Sequence, residues 1–148
     1  MAAVDYHGLL TTLKELLEAD DTLIGVPVFV EEDPQFDLSG AGTAIILTLG
    51  NRRASSGQPL AAGKRTRWEV TLSVWAMGFA LSFDQAAKKR DDLVGALELV
   101  LMNNRTISDK LASGWIEGGE FISVRDETTG SYAIAETRMV GEATAIAT

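Results

Sequence analysis

The sequence is poor in several residue types that functional sites require. Its 148 residues include no cysteine, one histidine (His7) and three prolines. Without cysteine the chain can form no disulfide, thiolate zinc site, iron–sulfur cluster or thiol nucleophile, and one histidine cannot build a multi-histidine metal centre. No apolar run approaches the roughly 18 residues that span a bilayer. A signal peptide requires a positively charged start, and no lysine or arginine precedes Lys14. We therefore expect neither a membrane-spanning segment nor a secretory leader.

The rest of the composition is typical of a folded globular chain. Hydrophobic residues make up 46% of the sequence and charged residues 23%, close to the average of soluble domains. A chain of this length normally forms one core, which buries about 70% of the surface of the unfolded chain. We therefore expect a single domain over residues 1–148.

Charge is distributed unevenly along the chain. The net charge is −8, yet residues 51–67 contain five basic residues and no acid. These are Arg52, Arg53, Lys64, Arg65 and Arg67. Residues 15–50 show the opposite pattern, with eight acids and no lysine or arginine. Such a chain can pair with copies of itself, whereas its overall acidity opposes tight binding of duplex DNA, which depends on neutralising phosphates.

Two segments have the periodicity of amphipathic helices. Leucines recur at three- and four-residue spacing between Asp5 and Ala19, and Asp5 is a suitable N-cap. A second helix is predicted from Ser82, which stands three residues before Gln85 as in a capping box, to Asn103. Its apolar stripe includes one charged residue, Arg90. The stripe consists of Ala86, Ala87, Arg90, Leu93, Val94, Leu97, Val100 and Leu101.

The remaining patterned segments indicate strands. They are Val26–Val30, Ala44–Leu49, Thr66–Met77, and a closing hairpin of Phe121–Arg125 and Tyr132–Val140 that residues 143–147 can prolong. Between the second and third strands, residues 51–65 form a long, basic, Gly/Ser-rich connection, which we call the arm. The sequence therefore predicts an α+β fold: a mixed, mainly antiparallel sheet packed by two helices, with a long β-hairpin arm and the order α-β-β-(arm)-β-α-β-β.

The strand Thr66–Met77 carries large apolar residues on both faces. Alternation places Trp68 with Val70 and Leu72 on one face, and Trp75 with Met77 on the other. The first set suits the core. The second set forms an apolar patch that is covered either by another element of the same chain or by a second molecule.

The sequence offers no motif for catalysis or for a bound cofactor. The Gly40–Gly42 segment precedes a predicted strand rather than a helix, and so lacks the context of a phosphate-binding loop. The acids Glu31, Glu32, Asp33 and Asp37 lack the spacing of a calcium loop. His7 has no nucleophile in a recognisable motif, so we expect an exposed or capping side chain. We predict no catalytic, metal or cofactor site.

Three segments in this order resemble the tail terminator proteins of long-tailed bacteriophages. They are AIILTLGNRR (residues 44–53), KRTRWEVTLSVWAMG (residues 64–78) and SFDQAAKKRDDLVGALELVL (residues 82–101). The resemblance covers most of the chain. It lies in the order of elements, the size of the chain, and the central segment, in which a loop is followed by the RWEVT strand and then by the FDQAAKKRDDLVGAL helix. No short catalytic motif defines this family.

The resemblance implies a non-enzymatic virion protein of the tail–neck junction that is assembled in the host cytoplasm. It implies a homohexameric ring that caps the head-proximal end of the tail tube, ends tube polymerisation and provides the surface for head joining. Its partners would be itself, the tail tube protein and the head–tail connector; DNA would pass nearby without specific binding, and no membrane would be involved. The expected interface residues are Arg52, Arg53, Lys64, Arg65 and Arg67, with Trp75 and Met77.

Three alternatives to this prediction differ in their partners. A tail tube or head–tail connector protein would share the fold and the ring, but a tube protein would polymerise into open tubes. A small enzyme or ligand-binding α+β domain would need a pocket with convergent carboxylates or arginines. Nucleic-acid binding by the arm would give an affinity that falls steeply with salt.

Overall fold

The computed structural model describes residues 3–32, 42–54, 65–126 and 130–146. In chain order the elements are helix α1 (Tyr6–Ala19), a 3-10 turn (Asp21–Leu23), strands β1 (Val28–Val30), β2 (Thr43–Ala54) and β3 (Arg65–Ala80), helix α2 (Phe83–Asn103), and strands β4 (Ser113–Asp126) and β5 (Gly130–Ile146). This order matches the one that the sequence predicts.

The strands form one five-stranded sheet in the order β1-β2-β3-β5-β4. The short β1 runs parallel to β2, and all other neighbours are antiparallel. The predicted α+β class, with a mixed and mainly antiparallel sheet packed by two helices, is therefore confirmed. The two edges of the sheet differ, because β1 has three residues and β4 has fourteen.

Local capping explains where the helices begin and end. The Asp5 carboxylate accepts a hydrogen bond of 2.9 Å from the backbone N–H of Gly8, and the Ser82 hydroxyl accepts one of 3.3 Å from the N–H of Gln85. At the end of α2, the side-chain amide of Asn104 donates to the Val100 carbonyl oxygen at 2.8 Å. Each bond satisfies a backbone group that a helix end leaves without a partner.

Both helices and one face of the sheet share the main hydrophobic core, and Ala80, Ala86 and Ala133 form a smaller cluster. α1 contributes four fully buried leucines, and the predicted stripe of α2 is buried apart from the half-buried Ala87. The sheet contributes alternate residues of its strands. These are Ile45 and Leu47 of β2, Val70, Leu72, Val74 and Ala76 of β3, and Ala135, Met139 and Ala143 of β5. Trp68 is half-buried against this core.

Several predicted strand boundaries were wrong. β1 begins at Val28 rather than Val26, because Pro27 has no N–H for the ladder; its carbonyl oxygen accepts from Ile45 instead. β3 extends beyond Thr66–Met77 to Arg65–Ala80, since its full length pairs with β5. The predicted hairpin strand Phe121–Arg125 belongs to β4, which begins eight residues earlier at Ser113.

The structure describes only the two ends of the predicted arm. Residues 51–54 continue β2 and Arg65 starts β3, so both ends of the predicted loop 51–65 are strand. Residues 55–64 lie outside the described residues. β2 pairs with β3 as Leu49 with Leu72 and then as Arg52 with Val70, so β2 carries one extra residue, a β-bulge. The bulge turns Arg52 toward the helix side of the sheet, the side on which its partner Val70 lies.

Candidate interaction surface

Alternate residues of the strands point away from the helices and form a second face, which we call the open face. Cross-strand pairing places Ile46, Trp75, Glu136 and Glu120 in one row across four strands, since directly paired residues share a face. Within the described ranges, the helices pack only against the opposite face. The open face is therefore a surface of the sheet to which the described helices contribute no cover.

Trp75 and Met77 both lie on this face, as the alternation predicts. The indole N–H of Trp75 donates to the Thr48 hydroxyl at 2.9 Å, and the half-buried ring borders a depression of about 490 Å³. The depression is lined by Glu31, Glu32, Ile46, Thr48 and Trp75. Met77 is only 6% exposed, so Trp75 offers a partner more accessible side chain than Met77 does.

Beside Trp75, the open face carries a polar network. The Ser73 hydroxyl donates to one oxygen of Glu136 at 2.9 Å, and the Arg138 guanidinium donates to the other at 3.0 Å. The Glu136 side chain is 13% exposed. A carboxylate with two such donors is held in one orientation. The Glu136 carboxylate is therefore held in a fixed orientation beside the Trp75 ring.

Arg52, at the start of the arm, contacts the first helix and β3. Its guanidinium carbon lies 5.0 Å from the ring centre of Trp68 and 5.7 Å from that of Tyr6 in α1. Both distances are within the range of attractive cation–π contacts. Arg52 was predicted as an interface residue, and its placement gives it a contact inside its own subunit.

The other predicted cations are differently placed. Arg53 pairs with Glu69 at 3.4 Å in a solvent-exposed contact, and Arg67 is exposed on β3. Arg65 is the first residue of β3, and Lys64 lies outside the described residues. The structure thus brings Arg53 and Arg67 onto β2 and β3 near the start of the arm, where their side chains face solvent.

We expect Arg52 and Arg53 to differ in their effect on stability. Arg52→Ala removes two cation–π contacts and should lower the free energy of unfolding by about 1 kcal/mol. Arg53→Ala removes a solvent-exposed ion pair and should change it by less than about 0.5 kcal/mol. Urea unfolding followed by far-UV circular dichroism measures both. An equal decrease in the free energy of unfolding for both variants would show that the contacts of Arg52 with Tyr6 and Trp68 do not stabilise the subunit.

Sequence reasoning missed a second surface, at the β4 edge. Phe121 of β4 is 67% exposed, and the guanidinium carbon of Arg90 lies 5.0 Å from its ring centre. Toward the start of β4, the exposed Trp115 and Met102 border a groove of about 510 Å³. The charged Arg90 inside the apolar stripe of α2 was the one sequence feature that could have indicated this surface. The sequence did not show which strand Arg90 would contact.

Among the described residues, no three His, Asp or Glu residues are grouped to hold a metal ion. None of the described helices is long and apolar enough to cross a membrane. His7 is exposed, as are Glu31 and Glu32. Asp33, Asp37, Gly40 and Ala41 lie outside the described ranges. Hydrogen bonds from the side chain and backbone N–H of Thr22 lower the pKa of Asp20, whose carboxylate caps the 3-10 turn.

Comparison with known proteins identifies a shared fold. No protein-family model and no curated protein sequence matches this chain. A chain of a solved structure described as the virion of a native gene transfer agent particle matches it with a TM-score of 0.55 and 14% sequence identity. The match covers 97% of this chain and 100% of that one. The two chains therefore share a fold over almost their entire lengths.

Proposed function

We propose that this chain is a structural subunit of a phage-like particle and acts by assembling with copies of itself and with other virion proteins. The observation that carries the proposal is the fold shared, from end to end, with a chain from a gene transfer agent virion. The open face and the exposed Arg53 and Arg67 at the start of the arm support it, because both present accessible surface suited to protein contacts. An extended surface of this kind serves assembly better than chemistry on a small molecule.

The specific role that we propose is tail termination. The resemblance of residues 44–53, 64–78 and 82–101 to tail terminators leads to a homohexameric ring on the head-proximal end of the tail tube. A ring needs two unlike patches on each subunit, one meeting the other on the next copy. The basic arm and the acidic residues 15–50 have the opposite charges that such a contact uses.

Termination by such a ring is steric and requires no catalysis. One face of the ring would contact the last ring of tube protein, and the other would present a surface onto which tube subunits cannot add and to which the connector binds. DNA would pass through the ring without specific binding, because the chain outside residues 51–67 carries a net charge of −13. Arg53, Lys64, Arg65, Arg67 and Trp75 are the side chains proposed for these contacts, with smaller contributions from Arg52 and Met77.

Native mass spectrometry with negative-stain imaging, over a concentration series, tests this role. We expect closed, single-layer six-membered rings with a central hole. Long open tubes would instead identify a tail tube protein. A protein that stays monomeric at all concentrations, both alone and with purified tail tubes, would contradict the ring. Binding of DNA that falls steeply with salt and requires residues 51–65 would favour the nucleic-acid alternative.

A further inference from the structure

The turn that leads into β1 exposes a large apolar side chain at its tip. Ile24 (φ −57°, ψ 131°) and Gly25 (φ 82°) have the dihedral angles of the two central residues of a type II β-turn. A 3.1 Å hydrogen bond from the Val26 N–H to the Leu23 carbonyl oxygen closes the turn. Ile24 is 75% exposed, whereas Gly, Pro, Asn, Asp and Ser are the usual residues at such positions. The exposed isoleucine therefore contributes little to the fold of its own subunit.

Residues 20–26, which we call the Ile24 turn, are held in place by the core and by local hydrogen bonds. Leu23 is buried, and its N–H donates to the Asp20 carbonyl oxygen at 3.1 Å. The Asp20 carboxylate accepts a 2.9 Å hydrogen bond from the N–H of Thr22, and the neighbouring Asp21 is exposed. A segment that is already ordered loses little conformational freedom on binding. The turn is therefore a preorganised apolar tip with an acidic flank.

The groove at the start of β4, which we call the Trp115 groove, has complementary properties. Its apolar lining consists of Leu101, Met102, Trp115, Ile116 and Met139. Met102 and Trp115 are exposed, and so is Leu99, which neighbours Met102 at a three-residue spacing on α2. Clustered apolar exposure of this kind marks an interaction site, which single exposed side chains do not. Arg105 is the charged residue in the described lining, so the groove is apolar with a positive side.

The turn and the groove lie too far apart to meet within one subunit. The Ile24 turn precedes β1 at one edge of the sheet, and the groove lies at β4 on the other edge. Four strand spacings of about 4.8 Å separate the two edges by about 19 Å. Strand pairing places Val28 level with Ala135, and the groove residue Ile116 level with Met139, about 13 Å further along β5. Only the turn of another copy can reach the groove.

We propose that the Ile24 turn of one copy of the chain inserts into the Trp115 groove of the next copy, with Asp21 beside Arg105. The inference deepens the proposed ring function and rests on it, because it names a contact between ring subunits. The apolar tip matches the apolar groove, and the acid of the turn has the charge opposite to that of the arginine. A contact between opposite edges of successive copies is head-to-tail, the kind of contact that closes rings.

Substitution of the tip residue tests the contribution of the turn to assembly. Ile24→Asp should lower the affinity between subunits about 30-fold or more, because it places a charge in an apolar groove. The matched control is Leu81→Asp, since Leu81 is 79% exposed and also has an acid, Asp84, three residues away. Native mass spectrometry over a concentration series should find an unchanged affinity for the control, and neither change should lower the melting temperature. Equal affinities for the two variants would overturn the proposed contact.

Disulfide formation between single-cysteine variants tests the head-to-tail geometry, because the native chain has no cysteine. We expect a mixture of the Ile24→Cys and Met102→Cys proteins to give a covalent dimer on a denaturing gel after mild oxidation. Each variant alone should remain monomeric on that gel. The control partner is Ser123→Cys, an exposed position on β4 about 20 Å along the strand from Ile116. Equal yields with the control, or equal dimer formation by one variant alone, would overturn the alignment.

Charge exchange tests the ionic part of the contact. Arg105→Glu in the Met102→Cys protein should lower the yield of covalent dimer about tenfold, and Asp21→Lys in the Ile24→Cys protein should restore most of it. Lys88→Glu makes the same charge change at an exposed position on α2, about 21 Å from Met102, and should leave the yield unchanged. An Asp21→Lys protein that does not restore the yield would show that Asp21 does not lie beside Arg105.

Negative-stain imaging of the same samples separates this inference from the ring proposal. Rings without the covalent dimer, or undiminished rings in the Ile24→Asp variant, would overturn the contact and leave the ring intact. Covalent dimers without closed rings would support the contact and contradict the ring. The absence of both, with and without purified tail tubes, would overturn both.

Discussion

Gly78→Ala is expected to destabilise the fold strongly, although it adds a single methyl group. Gly78 lies on β3 where α2 crosses it, and a Cβ at this position would collide with the carbonyl oxygen of Ala86 and lie 2.7 Å from the backbone N of Arg90. Backbone atoms cannot turn aside as a flexible side chain can, so the whole helix must move away from the sheet. Overpacking of this kind costs about 1–3 kcal/mol, and we expect the upper end of that range.

Gly95→Ala is the matched substitution on the same helix, with the opposite expected sign. Gly95 is exposed in α2, and a Cβ there would meet nothing within 4 Å. The change should raise the free energy of unfolding by about 1 kcal/mol, because glycine is a poor helix former. Thermal unfolding followed by circular dichroism should place the two variants about 8–16 °C apart, at roughly 2–4 °C per kcal/mol. A neutral Gly78→Ala would contradict the close approach of α2 to β3.

Reversing the charge of the arm is expected to abolish assembly. The variant Arg53→Glu, Lys64→Glu and Arg65→Glu keeps Arg52, because that residue contacts Tyr6 and Trp68 within its own subunit. Docking of the arm on an acidic surface would become repulsion between like charges, so the affinity between subunits should fall by roughly 100-fold or more. Stability of the subunit should fall by less than about 1 kcal/mol, because Arg53 makes only an exposed ion pair.

A control variant carries the same change in net charge outside the arm. Lys14→Glu, Lys88→Glu and Lys110→Glu also take the net charge from −8 to −14. Native mass spectrometry at several salt concentrations should find rings for the control and isolated subunits for the arm variant. Equal loss of rings in both would indicate that general repulsion, rather than the arm, governs assembly. Normal rings in the arm variant would rule out the arm as a contact.

The helices could be predicted because their signals are local. The leucines of α1 and the stripe of α2 recur at the helical period, and Asp5, Ser82 and Asn104 act on backbone groups only a few residues away. A side chain and its partner then lie in the same short segment of sequence. The strand alternation of residues 66–77 is similarly local, and it correctly separated Trp68 from Trp75.

The register of the sheet could not be predicted, because it depends on pairing between distant segments. The bulge between Leu49 and Arg52 lies within β2, which pairs with β3 both before and after it. Without the bulge, strand alternation would point Arg52 to the opposite face, and its cation–π contacts could not form. The early start of β4 likewise depends on pairing with β5, since glycines at positions 114, 118 and 119 weaken its local signal.

The sequence by itself determined the α+β class, the order of elements, both helices, the faces of β3 and the basic character of residues 51–67. These properties follow from periodicity, capping and charge, which act over a few residues. The tertiary structure decided that Arg52 lies on the helix side of the sheet beside Trp68, that Met77 is buried, and that Arg90 meets Phe121 at the β4 edge. Each of these results depends on which strands become neighbours, and only the packing of the whole chain selects those neighbours.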